Sequence, residues 1–157
     1  MPYATRGDVD VTIDAPPEAV YALVSDVTRM GEWSPETVRC EWADGATGPA
    51  VGARFKAQNR HGRMRWSNKP EVTAAEPGRE FAFSRKAPAG GEVVWRYSLL
   101  PEGAGTKLTE SFEVIKRPPA AVNWLVLRML RTKDRNADLI DGMRTTLDRI
   151  KTAAEAS

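Results

Sequence analysis

Apolar and polar residues alternate in short runs over most of the chain, a pattern that predicts β-strands. The first run covers residues 8–14, DVDVTID, and places Val9, Val11 and Ile13 on one face. Between Glu36 and Ile115 the further runs are TVRCEW, ARFKAQN, GRMRWSN, EFAFSR, EVVWRYSL and KLTESFEV. Short turns rich in glycine and proline separate these runs, which predicts an antiparallel meander.

Helical patterns occur on both sides of the meander. After the first strand, APPEAVYALVSDV begins with two prolines and a glutamate, which suit a first helical turn. A second short helix is predicted from Thr28 to Trp33, and Pro35 ends it. Near the end of the chain, NADLIDGMRTTLDRIKTAAE repeats apolar residues three and four apart, which predicts a long amphipathic helix. Its apolar stripe consists of Ile140, Met143, Leu147, Ile150 and Ala154.

A curved sheet around the long helix is the simplest way to bury this stripe. We therefore predict an α+β fold: a curved seven-stranded antiparallel sheet around a long C-terminal helix, with two short helices after the first strand. Such a sheet cannot close onto the helix along its whole length, so a tapered space is expected between them. The length and the absence of a linker predict one domain over residues 1–157.

Composition excludes several classes of protein. Hydrophobic residues make up 41% and charged residues 28%, which is ordinary for a soluble domain. The single cysteine, Cys40, cannot form an internal disulfide, and the first ten residues lack the apolar core of a signal peptide. No apolar run approaches the roughly 20 residues that cross a bilayer. We expect a cytoplasmic protein, and the net charge of +2 does not favour nucleic acid as a partner.

Three motifs resemble the helix-grip superfamily, also called SRPBCC or START-like. They are VTIDAPPEAVYALVSDVTRMGEWSPE, GRMRWSN, and LTESFEV followed by MRTTLDRIKTAAE. The first motif is most similar to the bacterial polyketide cyclase/dehydrase branch. The resemblance spans nearly the whole chain and implies the fold predicted above, with an aromatic-lined cavity for a hydrophobic molecule.

Alternation along the strands also predicts which side chains face this cavity. On the second strand it places Val38, Cys40 and Trp42 inward. The other inward side chains are apolar or aromatic, with polar exceptions on three strands. In the resembled family the second short helix covers the cavity mouth, which implies a lid role for its Met30 and Trp33; a role in packing alone remains open for Trp33. The predicted ligand-binding set is Met30, Trp33, Phe55, Trp66, Asn68, Phe83, Trp95, Tyr97, Glu110, Phe112, Ile140, Met143 and Leu147.

Glu110 is the most informative of the polar exceptions. A carboxylate on an apolar strand face must be paired, protonated or solvated. Two alternatives are open: a salt bridge to Arg85 or Arg96 near a sheet edge, or contact with a ligand. Asn68 and Tyr97 either orient a polar group of the ligand or satisfy backbone groups.

Most standard catalytic sites lack the residues they need. One cysteine and one histidine do not make a zinc site, and no glycine-rich phosphate loop begins a helix. His61 falls in RHGR, a predicted hairpin tip, where we expect it to be solvated. We expect neither a metal nor a cofactor, and the candidate catalytic groups are Glu110 and Tyr97.

One departure from the resembled cyclases concerns charge. Those enzymes carry an inward arginine a few residues after the position of Trp66, whereas this chain has Lys69 and Pro70 there. Alternation predicts that Lys69 points outward. Lys69 or Arg85 can replace the positive charge of that arginine but not its planar two-pronged geometry.

Two surface features suggest partners. Arg54, Lys56, Arg63 and Arg65 share the convex face of one hairpin, but no aromatic residue lies among them, so we predict a solvated basic surface rather than a nucleic-acid site. The segment Ala121 to Arg131, AVNWLVLRMLR, combines apolar and basic residues. It either contacts a membrane transiently while a lipid is loaded or packs on the sheet edge.

Three hypotheses follow for function. The first is binding or transport of a hydrophobic small molecule, such as a lipid, polyketide or isoprenoid, in an internal cavity. The second is a cofactor-independent cyclase or dehydratase that uses the same cavity, with Glu110, Tyr97 and Trp66 as candidate groups. The third is a protein–protein interaction module, such as a chaperone activator or a toxin-like partner, that acts through its surface.

Overall fold

Eight strands form one antiparallel sheet in the computed structural model, which describes residues 5–87, 90–132 and 134–156. They are β1 (Arg6–Ile13), β2 (Thr37–Ala43), β3 (Arg54–His61), β4 (Met64–Asn68), β5 (Glu71–Glu76), β6 (Glu80–Lys86), β7 (Glu92–Glu102) and β8 (Gly105–Lys116). The order across the sheet is β1-β8-β7-β6-β5-β3-β2, and β4 pairs with β3 beside β5. Seven strands therefore lie side by side, and the predicted fold class is confirmed.

The strand β5 was missed by the sequence pattern. That pattern ended the preceding strand at Asn68, but pairing resumes after Lys69 and Pro70. A proline has no N–H to donate to the ladder, so it interrupts the strand at this point. The sequence of β5 is EVTAAE, in which Val72 is the only large apolar residue. Because its other apolar side chains are small, the alternation of apolar and polar residues was too weak to predict a strand.

The inward prediction for Val38 is wrong. The pairing of β2 with β3 shifts register between Thr37 and Arg39. An extra residue at such a bulge reverses the alternation of side chains before and after it. As a result Val38 is 59% exposed, whereas Cys40 is buried and Trp42 packs against the core as predicted.

Two short helices follow β1, as predicted. The first, α1 (Pro17–Val24), begins at the proline pair, and Val20 and Val24 lie in the core. A 3-10 turn at Val27–Arg29 leads into α2 (Met30–Trp33), and the Asp26 side chain accepts a hydrogen bond from the backbone N–H of Thr28 at its start.

Two helices follow β8. They are α3 (Ala120–Leu130) and α4 (Arg135–Glu155), and the Asp134 side chain caps α4 by accepting a hydrogen bond from Ala137 N. One face of α4 is buried through Met143, Thr146, Leu147, Ile150 and Ala154. Among the described helices, none is long and apolar enough to cross a membrane. The predicted apolar stripe of the terminal helix is thus the face that the sheet covers.

Candidate functional site

A cavity of about 940 Å³ lies between the inner face of the sheet and the helices α3 and α4. Its size falls at the upper end of the range of about 300–1,000 Å³ that is usual for small-molecule sites. The aromatic side chains in its wall are Phe55, Trp66, Phe83, Trp95, Tyr97 and Phe112. They come from β3, β4, β6, β7 and β8, so the sheet supplies most of the apolar surface.

The aromatic side chains contact each other along the sheet and leave the cavity open. Trp95 and Phe112 are cross-strand neighbours, with ring centroids 5.5 Å apart. Phe55 and Phe83 meet edge to face, with centroids 5.2 Å apart. These contacts fix the wall while the space in front of it remains free.

Most of the predicted ligand-binding residues line this cavity. Those that do are Met30, Phe55, Trp66, Asn68, Phe83, Trp95, Tyr97, Glu110, Phe112 and Met143. Residues on strands were predicted best because alternation along a strand gives each side chain one of only two directions.

Trp33, Ile140 and Leu147 are not part of the cavity wall. Trp33 is buried in the core beside α4, where its carbonyl oxygen accepts a hydrogen bond from Arg149 at 3.3 Å. Ile140 points towards β1, since a Cβ added at Gly7 would lie 2.8 Å from its Cδ1 atom. Leu147 is buried among core side chains. All three side chains pack in the interior of the fold, and Met30 is the one residue of α2 that lines the cavity.

Glu110 faces the cavity and forms no ion pair with any described residue. Of the two arginines considered as partners, Arg96 pairs with Glu80, and Arg85 is not among the groups that shift the pKa of Glu110. Glu110 is 6% exposed, and its Oε1 atom has no hydrogen-bond partner among the described residues. Burial raises the pKa of this carboxyl to about 8, while a hydrogen bond from Tyr97 acts to lower it. The group is therefore largely protonated at neutral pH.

Tyr97 is the cross-strand neighbour of Glu110 and lines the same part of the wall. Burial raises its pKa well above the ordinary value, and the charge of Glu110 and the hydrogen bond to it act in the same direction. The phenol therefore keeps its proton over the physiological range. Together the two side chains form a neutral polar pair in an otherwise aromatic wall.

A cluster of charged side chains that the sequence did not predict lies elsewhere in the wall. Arg135 donates two hydrogen bonds to Glu36, from Nη1 to Oε2 at 2.5 Å and from Nη2 to Oε1 at 2.8 Å. His61 places Nδ1 3.0 Å from the same Oε2 atom. Burial acts to raise the pKa of Glu36, but hydrogen bonds and charge from Arg135, with those from His61, outweigh it and the pKa is lowered.

The expectation that His61 is solvated is therefore wrong. It does lie at the tip of the β3–β4 hairpin, but its side chain is only 28% exposed because it packs against Glu36. The backbone N–H of Arg60 also donates to the carbonyl oxygen of Glu36 at 2.7 Å. No local sequence pattern predicts this cluster, because its members lie far apart in sequence.

The helix α3 lies between the cavity and the protein surface. Val122, Leu127 and Leu130 line the cavity. On the other side of the helix the large apolar residues Trp124, Leu125 and Met129 are between 50% and 60% exposed. One face of this segment therefore borders the cavity and the other is exposed, and the two alternatives, packing on the sheet edge and transient membrane contact, both stay predictions.

A basic side chain lies against the exposed face of α3. The Arg128 guanidinium is 5.3 Å from the centroid of the Trp124 ring. This distance is within the limit of about 6 Å for a cation–π contact. Apolar surface and positive charge are thus combined on one face of the helix.

Lys69 and the basic hairpin face lie outside the cavity, on the outer surface of the sheet. Lys69 points outward as predicted, with Nζ 3.3 Å from Asp44 Oδ1. The four basic residues of the hairpin face are exposed. A shallow depression of about 600 Å³ follows the loop between Asp44 and Arg54, contains no aromatic residue and shares no lining residue with the cavity. Over the described ranges, no cluster of three or more His, Cys, Asp or Glu side chains is arranged to hold a metal ion.

Comparison with known proteins agrees with this geometry. The sequence profile of a family described as "Polyketide cyclase / dehydrase and lipid transport" matches residues 4–155. The solution structure of a Polyketide_cyc-like protein from Corynebacterium glutamicum is 36% identical, with a TM-score of 0.64 over 99% of this chain and 94% of that one. No curated protein has a matching sequence.

More distant structures share the fold. A START superfamily protein from Mycobacterium smegmatis is 14% identical, with a TM-score of 0.70 over 98% of this chain and 99% of that one. The di-domain ARO/CYC protein BexL from the BE-7585A biosynthetic pathway is 19% identical, with a TM-score of 0.64 over 95% of this chain and 46% of that one. The predicted resemblance to the helix-grip superfamily is confirmed.

Proposed function

The chain belongs to the polyketide cyclase/dehydrase and lipid transport family, and on that premise we propose that it binds and carries a hydrophobic small molecule in its internal cavity. The ligand is a lipid, polyketide or isoprenoid, held between the sheet and α4. We further propose that it does so in the cytoplasm.

The observation that carries this proposal is the cavity itself. A volume of about 940 Å³ is large enough for a molecule of lipid or polyketide size, and the wall is mainly aromatic and aliphatic. Burying apolar ligand surface in such a space gains about 25 cal/mol per Å² before the costs of association. A protein that acted only through its surface would gain nothing from keeping this volume unfilled, since voids in a core lower stability.

The exposed face of α3 supports a role for membranes in loading. Trp124, Leu125 and Met129 present apolar surface, and Arg128 and Arg131 provide positive charge beside them. Apolar side chains flanked by basic ones suit the interface of an anionic bilayer. Because the opposite face of the same helix lines the cavity, contact here brings a lipid surface within one helix diameter of the binding site.

The second candidate function is a cyclase or dehydratase acting on a ligand in the same cavity. The specific observation in its favour is the neutral pair of Glu110 and Tyr97 in the wall. A carboxylic acid that stays protonated near pH 7 is able to polarise a carbonyl group. Against this function, Lys69 is turned outward where the resembled cyclases carry an inward arginine. Catalysis by Glu110 predicts turnover that is lost in Glu110→Gln, whereas a carrier shows binding without turnover.

Ligand binding is tested by native mass spectrometry of the purified protein and by tryptophan fluorescence. Trp66 and Trp95 line the cavity, while Trp124 is exposed and contributes background, so the measurement uses the Trp124→Phe variant. We expect hydrophobic naphthalene probes to quench the remaining fluorescence in a saturable way. Probe binding should weaken at least tenfold in Ala57→Phe, which places a large side chain in the cavity.

Ala50→Phe is the matched control, because Ala50 is exposed in the loop before β3 and does not line the cavity. It should bind the probe like the parent protein. The proposal is overturned when neither a co-purified molecule nor any saturable probe binding is found in folded protein, or when both alanine variants bind equally well.

A further inference from the structure

We propose that the Glu110 carboxyl group donates a hydrogen bond to a neutral oxygen of the ligand, so that the site selects hydrophobic molecules bearing a ketone, ester or similar carbonyl group. This inference rests on the proposed function and names the class of ligand that the cavity favours. It distinguishes such molecules from pure hydrocarbons, from fatty-acid anions and from amines.

The geometry that supports this is an unpartnered oxygen in the wall of the cavity. Glu110 lies on the inner face of β8, opposite Tyr97 on β7. Its side chain is buried and lines the cavity, but the Oε1 atom has no hydrogen-bond partner among the described residues. A buried polar atom without a partner is destabilising, because it has lost its hydrogen bonds to water without replacing them. A ligand that supplies the missing partner recovers that free energy.

The position of the proton follows from the neighbouring phenol. Tyr97 hydrogen-bonds to the Glu110 carboxyl and keeps its own proton, so its O–H is the donor in that contact. The carboxyl therefore accepts at one oxygen and, being protonated near neutral pH, donates from the other. A carboxyl donor on a side chain that lines the cavity is complementary to an acceptor, and a carbonyl oxygen is the acceptor that a hydrophobic molecule most often carries.

Within the described part of the chain, the pKa of Glu110 is set by burial and by Tyr97. The next titratable group, Cys40 on β2, acts on Tyr97. Val9 faces Glu110 from β1, and α4 contributes Met143 and Thr146 to the same cavity. On the paired strands β1 and β7, the residues in register with Glu110 are therefore Val9 and Tyr97, neither of which is charged.

The charged and titratable side chains elsewhere in the wall do not change this conclusion. They are Glu36, Arg60, His61, Arg85, Arg135, Asp138 and Asp141. None is among the causes of the pKa of Glu110. The carboxyl is therefore held protonated by burial rather than by a charged neighbour, and its O–H suits a neutral acceptor.

Two matched naphthalenes provide the test: 2-propionyl-6-methoxynaphthalene, a ketone, and 2-propyl-6-methoxynaphthalene, which lacks only the carbonyl oxygen. Affinities are measured by fluorescence at pH 6.5 and pH 9.5. At pH 6.5 we expect the ketone to bind about tenfold more tightly, the value of one net hydrogen bond. At pH 9.5 Glu110 is ionised and cannot donate, so the preference should disappear.

Variants separate the hydrogen bond from other effects of pH. The amide of Glu110→Gln donates at both pH values, so this variant should keep the ketone preference throughout. Glu110→Leu has no donor and should lose the preference at both. Binding of the hydrocarbon probe reports on folding and on the cavity in every variant.

Each outcome decides the question. Equal affinities for the two probes at pH 6.5 overturn the inference while leaving cavity binding intact. So does a ketone preference that persists in Glu110→Leu. Tighter binding of 2-(aminomethyl)-6-methoxynaphthalene than of the ketone at pH 8.5 would assign the site to amines instead. If none of the probes binds, the proposed function itself is overturned.

Discussion

Arg135, the first residue of α4, donates two hydrogen bonds to Glu36 in the segment between α2 and β2, with N···O distances of 2.5 and 2.8 Å. His61 at the β3–β4 hairpin tip contacts the same carboxylate. One side chain therefore connects the long helix, the hairpin and the segment after the short helices. All three residues line the cavity, so this connection also fixes the relative positions of parts of its wall.

Removing Arg135 from this cluster should destabilise the fold. We expect Arg135→Gln to lower the free energy of unfolding by about 2–3 kcal/mol, because it leaves a mostly buried carboxylate without its main partner. Urea unfolding followed by circular dichroism measures the change. Arg54→Gln is the control, since Arg54 pairs with Glu71 on the surface and such pairs contribute less than about 1 kcal/mol. Equal losses in the two variants would contradict the importance of the cluster.

The buried carboxyl of Glu110 should make stability depend on pH. In the native state its pKa is about 8, whereas the unfolded group titrates near 4.5. The native state thus binds the extra proton between these values, and stability is full below about pH 4.5 and falls as pH rises towards 8. Each unit of pKa difference corresponds to about 1.4 kcal/mol, so the total loss is at most about 5 kcal/mol.

The Glu110→Gln variant isolates this effect, because its amide does not titrate. We expect the free energy of unfolding of the parent protein to fall relative to that of the variant between pH 5 and pH 9, measured by urea unfolding at several pH values. A difference that stays constant with pH would show that the Glu110 carboxyl is not buried in its protonated form.

Gly31 in α2 allows that helix to lie against β2. A Cβ atom at this position would lie 2.4 Å from the carbonyl oxygen of Val38, at the β-bulge. Gly31→Ala must therefore move α2 away from β2, and we expect a loss of about 1–3 kcal/mol in the free energy of unfolding. Thermal unfolding monitors the change. Gly48→Ala, at a position with no described atom near the added Cβ, should be nearly neutral.

The exposed side of α3 should determine binding to anionic vesicles. We expect the double variant Trp124→Ser, Leu125→Ser to reduce cosedimentation with phosphatidylglycerol vesicles at least tenfold, because it removes apolar surface that enters the interface. The matched control replaces Leu100 and Val51 by serine; both residues are exposed, but they lie on β7 and in the loop before β3 rather than on α3. Similar losses in both double variants would indicate nonspecific adsorption rather than docking through α3.

The strands and helices of this protein were largely predictable from local patterns. Alternation on β8 placed Glu110 on the same face as Leu108 and Phe112 but left open whether it contacts a ligand or an arginine. The stripe on α4 identified the buried face of the terminal helix. The predictions failed where the backbone departs from regular geometry. A bulge turned Val38 outward, and Pro70 separated β4 from a strand of small residues that the pattern missed.

The residues of the cavity wall were predicted better on strands than on helices. Side chains on strands were placed well, but Trp33, Ile140 and Leu147 belong to the core rather than to the wall. A helix buries a wider stripe than one cavity touches, so the residues of α4 that face the ligand space depend on how the helix is rotated against the sheet.

Side-chain periodicity depends on the backbone geometry of a single segment. Burial stabilises a segment whose apolar residues share one face. For that reason the curved sheet, the terminal helix and the strand face that carries Glu110 were accessible from the chain alone, whereas the choice between a ligand and an arginine as the partner of Glu110 was not. The volume of the cavity and the meeting of Glu36, His61 and Arg135 arise from segments distant in sequence. Both depend on how far the sheet curves around α4, which only the packing of the whole fold decides.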